Sequence, residues 1–399
     1  MLKSIPSGTI TSVTGFLAGA AHAGIKSEDA LDLAILCSEV PCTAVGVFTA
    51  NRIKSAPVIL SQRHLLKRRA QAIVVNSGCA NACVGEQGLS DASQMARLTA
   101  VKLDILPEDV LVASTGIIGI PLPMDCVRSG IEKIELSRDS GHDFAKAIMT
   151  TDTKPKEVAI QVDMKGVKFT IGGVAKGAGM LHPDLATLLC FVVTDALVDV
   201  DFLQSSLRKA VDASFNMVSI DGDTSPSDCV FLLANGLSGN KAIDLDNGEV
   251  FQEALSEVCT YLAKSIARDG EGATKLIEVT IEGALDEAEA RQAARIIASS
   301  PLVKAAIHGN DPNWGRIIAA LGRSGAEVIE NKLDVYLNDT CVMKQGRPVP
   351  FSKEEMRAAL AIANTVLIRI CLNLGSGRAT AWGCDLSEEY VRINSEYTT

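Results

Sequence analysis

Two short apolar runs separated by an amphipathic segment constrain the fold more than any other feature of this sequence. Residues 72–76 (AIVVN) and 110–114 (VLVAS) are rich in β-branched side chains, and each leads into a Gly-containing loop, as buried strands do. Between them, residues 90–103 repeat apolar side chains at the spacing of an amphipathic helix. The order strand, loop, helix, strand predicts an α/β protein built from layers of helices and sheet.

The second half of the chain carries clearer helical and strand patterns. Apolar residues recur at helical spacing from Phe251 to Ile266, and residues 286–298 form a second predicted helix. Residues 188–193 and 275–282 have the composition and length of strands. At 399 residues the chain exceeds one ordinary core, so we expect either two domains or one large layered α/β unit.

The charge and hydropathy of the chain argue against two classes of partner. A formal net charge of −10 would repel nucleic acids and anionic membrane surfaces, so we expect neither. No apolar run approaches the ~20 residues that span a bilayer, and the small-residue segment 13–23 lacks the basic start and leucine-rich core of a signal peptide. We therefore predict a cytoplasmic protein. A small anionic substrate stays open, because a pocket can be locally positive.

Neither the cysteines nor the histidines predict a metal site. Most of the eleven cysteines lie in apolar runs and none forms a C-x-x-C pair; Cys79 and Cys83 are four apart, without a nearby histidine or second pair. The five histidines show no metal-ligand spacing. The pattern favours buried free thiols in a reducing cytosol and no bound metal.

A Gly-rich loop ahead of a predicted strand singles out Thr187. The segment KGAGM at 176–180 is followed by LHPDLAT at 181–187, which places Thr187 where this loop meets the apolar run 188–193. A threonine hydroxyl is protonated at neutral pH, but the α-amine of an N-terminal threonine, with a pKa near ~8, can act as its general base. This chemistry requires cleavage between Ala186 and Thr187. The alternative is that the Ala-Thr pair only opens a strand.

Three further segments have both a chemical and a structural interpretation. Residues 113–119 (ASTGIIG) end a predicted strand and can present N–H groups and a hydroxyl to an oxyanion, or can form only a tight turn. Residues 221–225 (DGDTS) lack the remaining ligands of an EF-hand and favour a turn. Residues 309–316 (GNDPNWGR) form either an Asx-type turn or a pocket wall.

Ordered motifs along nearly the whole chain resemble those of one family. They are VFTANRIKSAP at 47–57, NSGCANAC at 76–83, STGIIG at 114–119, KGAGM at 176–180, ATLL at 186–189, DGDTS at 221–225, DPNWGRIIAALG at 311–322 and YVRINSEYTT at 390–399. This series is similar to that of the ornithine acetyltransferase family, from Gly8 to Thr399. It departs from the commonest family pattern at four positions that carry no catalytic group: Cys79, Ala178, Asp184 and Leu185.

The resemblance implies a fold, a reaction and a processing step. The fold is the layered α/β sandwich of self-processing ornithine acetyltransferases and aminopeptidases. The reaction is acetyl transfer from N-acetylornithine to glutamate in arginine biosynthesis, through an acetylated Thr187. Cleavage between Ala186 and Thr187 gives an α chain of residues 1–186, with the oxyanion loop, and a β chain of residues 187–399, and such chains assemble as an α2β2 heterotetramer.

The resemblance also assigns individual site residues. Thr115 and Gly116 match the oxyanion-hole pair of the family. The positions that match its substrate-binding residues are Thr153, Lys176, Thr187, Glu271, Asn394 and Thr399. A lysine at such a position can pair with a substrate carboxylate, and a glutamate with the ammonium of ornithine.

The amino-acid sequence alone leaves three questions about function open. Some family members also take acetyl-CoA as the acetyl donor, and no residue of this sequence decides whether this chain does; no other cofactor is expected. A related self-processing aminopeptidase or amidase, in which water resolves the acyl-enzyme, is the alternative enzyme. A non-enzymatic binding protein would leave the junction between Ala186 and Thr187 without an explanation.

Overall fold

The structure, a computed structural model, describes residues 2–26, 29–164, 166–182 and 188–396. These residues form two mixed β-sheets with helices packed against them, so the predicted layered α/β class is confirmed. The strands are β1 (Leu2–Ser4), β2 (Phe16–Ala21), β3 (Leu33–Phe48), β4 (Arg69–Asn76), β5 (Val110–Ser114), β6 (Lys156–Met164), β7 (Val167–Lys176), β8 (Leu189–Thr194), β9 (Val218–Ser219), β10 (Cys229–Ala234), β11 (Leu276–Ala284), β12 (Asp334–Leu337), β13 (Thr340–Lys344), β14 (Arg347–Pro348), β15 (Thr365–Cys371) and β16 (Gly377–Cys384).

The first sheet has the strand order β1-β6-β7-β8-β10-β3-β4-β5, with β2 paired to β3. Strand β8 is central in it, antiparallel to β7 and parallel to β10. Leu189 of β8 lies opposite Lys176 of β7 and beside Cys229 of β10. All residues of β8 are buried, as the apolar run 188–193 predicts. The start of β8 therefore lies between the end of β7 and the start of β10, so these three strand ends are side by side.

The second sheet has the strand order β14-β13-β12-β15-β11-β16-β9. Within this sheet, strand β11 pairs in parallel with β15 and antiparallel with β16. Strand β11 confirms the strand predicted over residues 275–282. The side chains of Ile277, Val279 and Ile281, spaced by two along this strand, are all fully buried, which is the alternation expected of a strand with one face on a core.

Eleven helices are present in the described residues. They are α1 (Ala56–His64), α2 (Gly85–Leu103), α3 (Met124–Lys133), α4 (Gly141–Ala147), α5 (Val200–Ala213), α6 (Glu249–Arg268), α7 (Glu287–Ala298), α8 (Pro301–His308), α9 (Trp314–Gly322), α10 (Lys353–Ile362) and α11 (Glu388–Glu396). Helix α6 packs against β6 and β7 of the first sheet and against β11 and β16 of the second. One hydrophobic cluster joins both sheets through this helix, which favours a single layered unit over two separate domains.

Two helices differ from the sequence expectation. Helix α2 begins at Gly85, five residues before the predicted start, although its first turn contains two glycines of poor helix propensity. The Asn81 side chain donates to the Gly88 carbonyl (2.9 Å) in that turn. The segment 309–316, expected as a loop, already enters helix α9 at Trp314.

All eleven cysteines are free, and seven of them are buried. Within the described residues, no helix combines the length and apolarity needed to cross a membrane. The cytoplasmic location stays a prediction.

Candidate active site

A cleft lies where the ends of β5 and β7 and the loop before β10 meet helix α11. The residues that line it are Ala80, Thr115, Gly116, Ile118, Thr150, Thr151, Lys176, Gly179, Met180, Ser225, Ser227, Glu271 and Asn394. The cleft brings together five of the predicted site residues from distant parts of the sequence: Thr115, Gly116, Lys176, Glu271 and Asn394. It contains an anion-binding cation, a carboxylate and hydroxyl groups, which is the mixture that an amino-acid substrate requires.

We call residues 115–117, directly after β5, the oxyanion segment, after the role predicted for Thr115 and Gly116. The Thr115 N–H donates to the Asn76 carbonyl (3.1 Å), and the Ile117 N–H donates to the Gly78 carbonyl (3.2 Å). The hydroxyl of Thr115 and the N–H of Gly116 have no hydrogen-bond partner among the described residues. Both groups are therefore available to donate to a negatively charged oxygen in the cleft.

Glycine is required at position 116 by both conformation and space. Its φ is +126°, a backbone conformation that other residues rarely adopt. A Cβ atom at this position would lie 2.4 Å from the carbonyl carbon of Gly78. The motif at 76–83 thus shapes the oxyanion segment by packing its own backbone directly against it.

Lys176, the last residue of β7, supplies the cation of the cleft. Its side chain is almost completely buried, and its ammonium donates to the Thr150 hydroxyl (3.0 Å). Burial lowers the pKa of Lys176 below its usual value, and the nearby Asp152 carboxylate is the largest opposing charge. An ammonium has three N–H donors, so the group retains donors for a carboxylate that enters the cleft.

A buried network of charges supports Lys176 from behind. The Asp152 carboxylate accepts hydrogen bonds from the Lys156 ammonium (2.5 Å) and the Gly177 N–H (2.8 Å). Lys156 also pairs with Asp269 (2.6 Å). Burial alone would raise the pKa of Asp152, but the cations of Lys156 and Lys176 outweigh burial and hold this pKa at about 2. Asp152 therefore stays ionised and fixes the backbone just after Lys176.

Thr153 is not among the residues that line the cleft. Its N–H donates to Asp269 (3.0 Å), and its hydroxyl donates to the same carboxylate. Thr150 and Thr151 of the same segment line the cleft instead. The substrate-binding role of Thr153 stays a prediction.

Glu271 and Asn394 also line the cleft and contact each other. The Glu271 carboxylate accepts a hydrogen bond from the Asn394 side-chain amide (2.7 Å), and its N–H donates to the Ala178 carbonyl (2.8 Å). A Cβ atom at Gly179 would lie 2.5 Å from the Glu271 carboxylate, so only glycine lets the loop approach it so closely. The Gly-rich loop is thereby fitted to this acidic side chain.

The cleavage junction itself, Ala186 and Thr187, and the C-terminal Thr399 lie outside the described residues. The described residues resume at Leu188. The Leu181 carbonyl accepts a hydrogen bond from the N–H of Ile220, the residue after β9 (2.8 Å), and the Leu188 carbonyl accepts from the Cys229 N–H (3.2 Å). Leu181 and Leu188 are therefore both held by backbone hydrogen bonds.

Sequence reasoning missed the residues that hold the cleft loop 224–227. The Asn51 side chain donates to the Thr224 carbonyl (3.1 Å), and the Thr49 hydroxyl donates to the Ser225 carbonyl (2.8 Å). Both donors belong to the motif at 47–57, whose match to a family was the available signal. This motif supports the site without lining the cleft.

No cluster of three or more His, Cys, Asp or Glu side chains suited to a metal ion occurs in the described ranges.

The comparisons with known proteins decide the family. The ArgJ family model matches residues 17–399. The chain belongs to the ArgJ family. The family predicted from the motifs, and with it the prediction of an arginine-biosynthesis enzyme, is confirmed.

Relatives in the ArgJ family match over nearly their full lengths. One from Dehalococcoides mccartyi, named arginine biosynthesis bifunctional protein ArgJ, is 52% identical over 99% of this chain and 98% of its own. A relative of the same name from Symbiobacterium thermophilum is 50% identical over 98% of this chain and 99% of its own. A crystal structure of the bifunctional protein argJ from Bacillus halodurans has a TM-score of 0.51 and 46% identity, and the match covers 52% of this chain and 98% of that one.

Proposed function

We propose that this protein transfers an acetyl group from N-acetylornithine to glutamate, giving ornithine and N-acetylglutamate. The observation that carries the proposal is the presence of Lys176 and Glu271 in one cleft with Thr115 and Gly116. Each substrate is an amino acid with a carboxylate and an amino group. Lys176 suits the carboxylate and Glu271 the ammonium, while Thr115 and Gly116 stabilise the charge that develops on the acetyl oxygen.

The reaction has two balanced steps. The Thr187 hydroxyl attacks the acetyl carbonyl carbon, the bond to nitrogen breaks, and the proton taken by the α-amine of Thr187 passes to the departing ornithine. The amine of glutamate then attacks the acetyl ester, and the Thr187 hydroxyl is restored. In this proposal, the oxyanion formed in each step accepts hydrogen bonds from the hydroxyl of Thr115 and the N–H of Gly116, both of which line the cleft.

The same proposal includes self-cleavage between Ala186 and Thr187 and assembly of the two products as α2β2. Its support is that Met180, seven residues before Thr187 in sequence, lines the cleft. The matched Bacillus halodurans chain is also about half as long as this one, which suits a protein that exists as two chains.

The aminopeptidase alternative lacks a comparable match. Acetyl-CoA as a second donor is proposed from the word bifunctional in the names of the relatives.

Steady-state kinetics test the two-step reaction. Because ornithine leaves before glutamate reacts, initial rates with both substrates varied should give parallel double-reciprocal lines. Intersecting lines would indicate direct transfer in a ternary complex and would rule out the acetylated threonine. Assays with acetyl-CoA in place of N-acetylornithine test the second donor separately.

Replacing Lys176 with methionine should weaken the binding of both substrates without preventing cleavage at Thr187. Losing a charge-assisted hydrogen bond costs about 1.5–3 kcal/mol, so KM should rise roughly 10- to 100-fold for N-acetylornithine and glutamate alike. Lys154→Met is the matched control, because Lys154 is exposed and absent from the cleft lining. Normal KM values would remove Lys176 as the carboxylate anchor, and an uncleaved variant would reassign the lysine to processing.

A further inference from the structure

The acidic motif at 221–225 is held against the loop that leads to the cleavage junction. The Asp221 carboxylate accepts hydrogen bonds from the backbone N–H groups of Met180 (2.5 Å) and Leu181 (2.8 Å). Its neighbour Ile220 donates its own N–H to the Leu181 carbonyl (2.8 Å). The motif is therefore more than the turn that its sequence indicates, since it fixes the backbone six residues ahead of Thr187.

The backbone at Met180 needs such a support. Its φ is +51°, in the left-handed region that costs energy for a residue with a side chain. Two hydrogen bonds to the Asp221 carboxylate, made at Met180 and at the next residue, offset that cost and hold the reversal of the chain. Without the carboxylate, two partly buried N–H groups would lose their acceptor.

The same loop is also held by the acidic side chain of the cleft. The Glu271 N–H donates to the Ala178 carbonyl (2.8 Å), and Asn394 of helix α11 donates to the Glu271 carboxylate (2.7 Å). The loop is therefore held at Ala178 by Glu271 and at Met180 and Leu181 by Asp221.

We infer that Asp221 is a positioning residue for self-cleavage. It sets the approach of the chain to the Ala186–Thr187 bond, and it acts through the backbone of Met180 and Leu181 without touching the reacting atoms. After cleavage the same bonds would join the end of one product chain to the other, because residues 180 and 181 and residue 221 fall on opposite sides of the cut. The inference rests on the proposed function in requiring that the chain cleaves itself.

The test follows cleavage over time in freshly synthesised protein. Asp221→Ala should slow the appearance of the two fragments at least tenfold, and Asp221→Asn, which keeps one acceptor oxygen but loses the charge, should slow it a few-fold. Asp223→Ala is the matched control, because Asp223 is an exposed carboxylate in the same motif, and it should cleave at the wild-type rate. Leu360→Ala, which opens a cavity in a buried part of α10 remote from the cleft, controls for loss of stability alone.

Each outcome decides the inference. Slow cleavage of Asp221→Ala and Asp221→Asn, with normal cleavage of both controls, supports it. Wild-type rates in the two test variants, or equal slowing in Leu360→Ala, would overturn it. If Asp221→Ala does not fold, Asp221→Asn alone decides. A wild-type chain that never cleaves would instead refute the proposed function, so the two failures are distinguishable.

Discussion

A chain in which Thr187 is replaced by alanine is expected to remain a single polypeptide of 399 residues with no measurable acetyltransferase activity. The substitution removes the hydroxyl that attacks the preceding carbonyl during processing and the acetyl carbonyl during catalysis. Loss of a covalent nucleophile should reduce kcat by roughly four orders of magnitude or more. Gel electrophoresis and intact mass of the purified variant measure the first effect, and the rate of N-acetylglutamate formation measures the second.

Thr187→Ser is the control for this experiment because serine keeps the hydroxyl and loses only a methyl group. It should still cleave and should retain part of the activity. A cleaved Thr187→Ala chain would mean that a separate protease cuts the protein. In that case the claim of self-cleavage would fail, even if the acetyl transfer were real.

Thr115→Ala should lower kcat by roughly 10²- to 10³-fold while leaving KM and cleavage products close to those of wild type. This magnitude is typical for removal of one oxyanion-hole donor, because the donor acts on charge that develops only in the transition state. The fold does not need this hydroxyl, since the Thr115 backbone N–H makes the contact to Asn76 and the hydroxyl has no partner among the described residues. Steady-state rates and thermal unfolding of the same preparation separate catalysis from stability.

Thr115→Ser retains the hydroxyl and is expected to keep most of the wild-type kcat. If serine and alanine are equally impaired, the lost methyl group and its packing explain the defect. An unchanged kcat in Thr115→Ala would leave the Gly116 N–H as the sole candidate donor of this segment.

The fold could be predicted from sequence where local pattern and burial agree. The strand over residues 110–114 and the helix through Phe251 and Ile266 could be predicted because their apolar spacing reflects which side chains are buried. The structure buries those side chains. The early start of α2 could not be predicted, because it depends on a contact between Gly88 and a side chain of the preceding loop, Asn81. Local propensity carries no information about such a contact.

The candidate site also contains residues that the sequence could predict and contacts that it could not. Lys176 and Glu271 could be assigned from matched motifs, and the structure places both in one cleft. The contact of Asp221 with Met180 joins residues that are 41 positions apart, and nothing in an isolated acidic turn indicates which backbone groups it will bind. Thr153 illustrates the opposite case, since its motif match is clear while its hydroxyl is directed to Asp269.

The most direct test of the account is the intact mass of the protein after incubation with N-acetylornithine in the absence of glutamate. We expect two fragments, residues 1–186 and 187–399, with the second heavier by one acetyl group on Thr187, and we expect glutamate to remove that added mass. A protein that forms N-acetylglutamate but never carries an acetyl group on residues 187–399 would contradict the account.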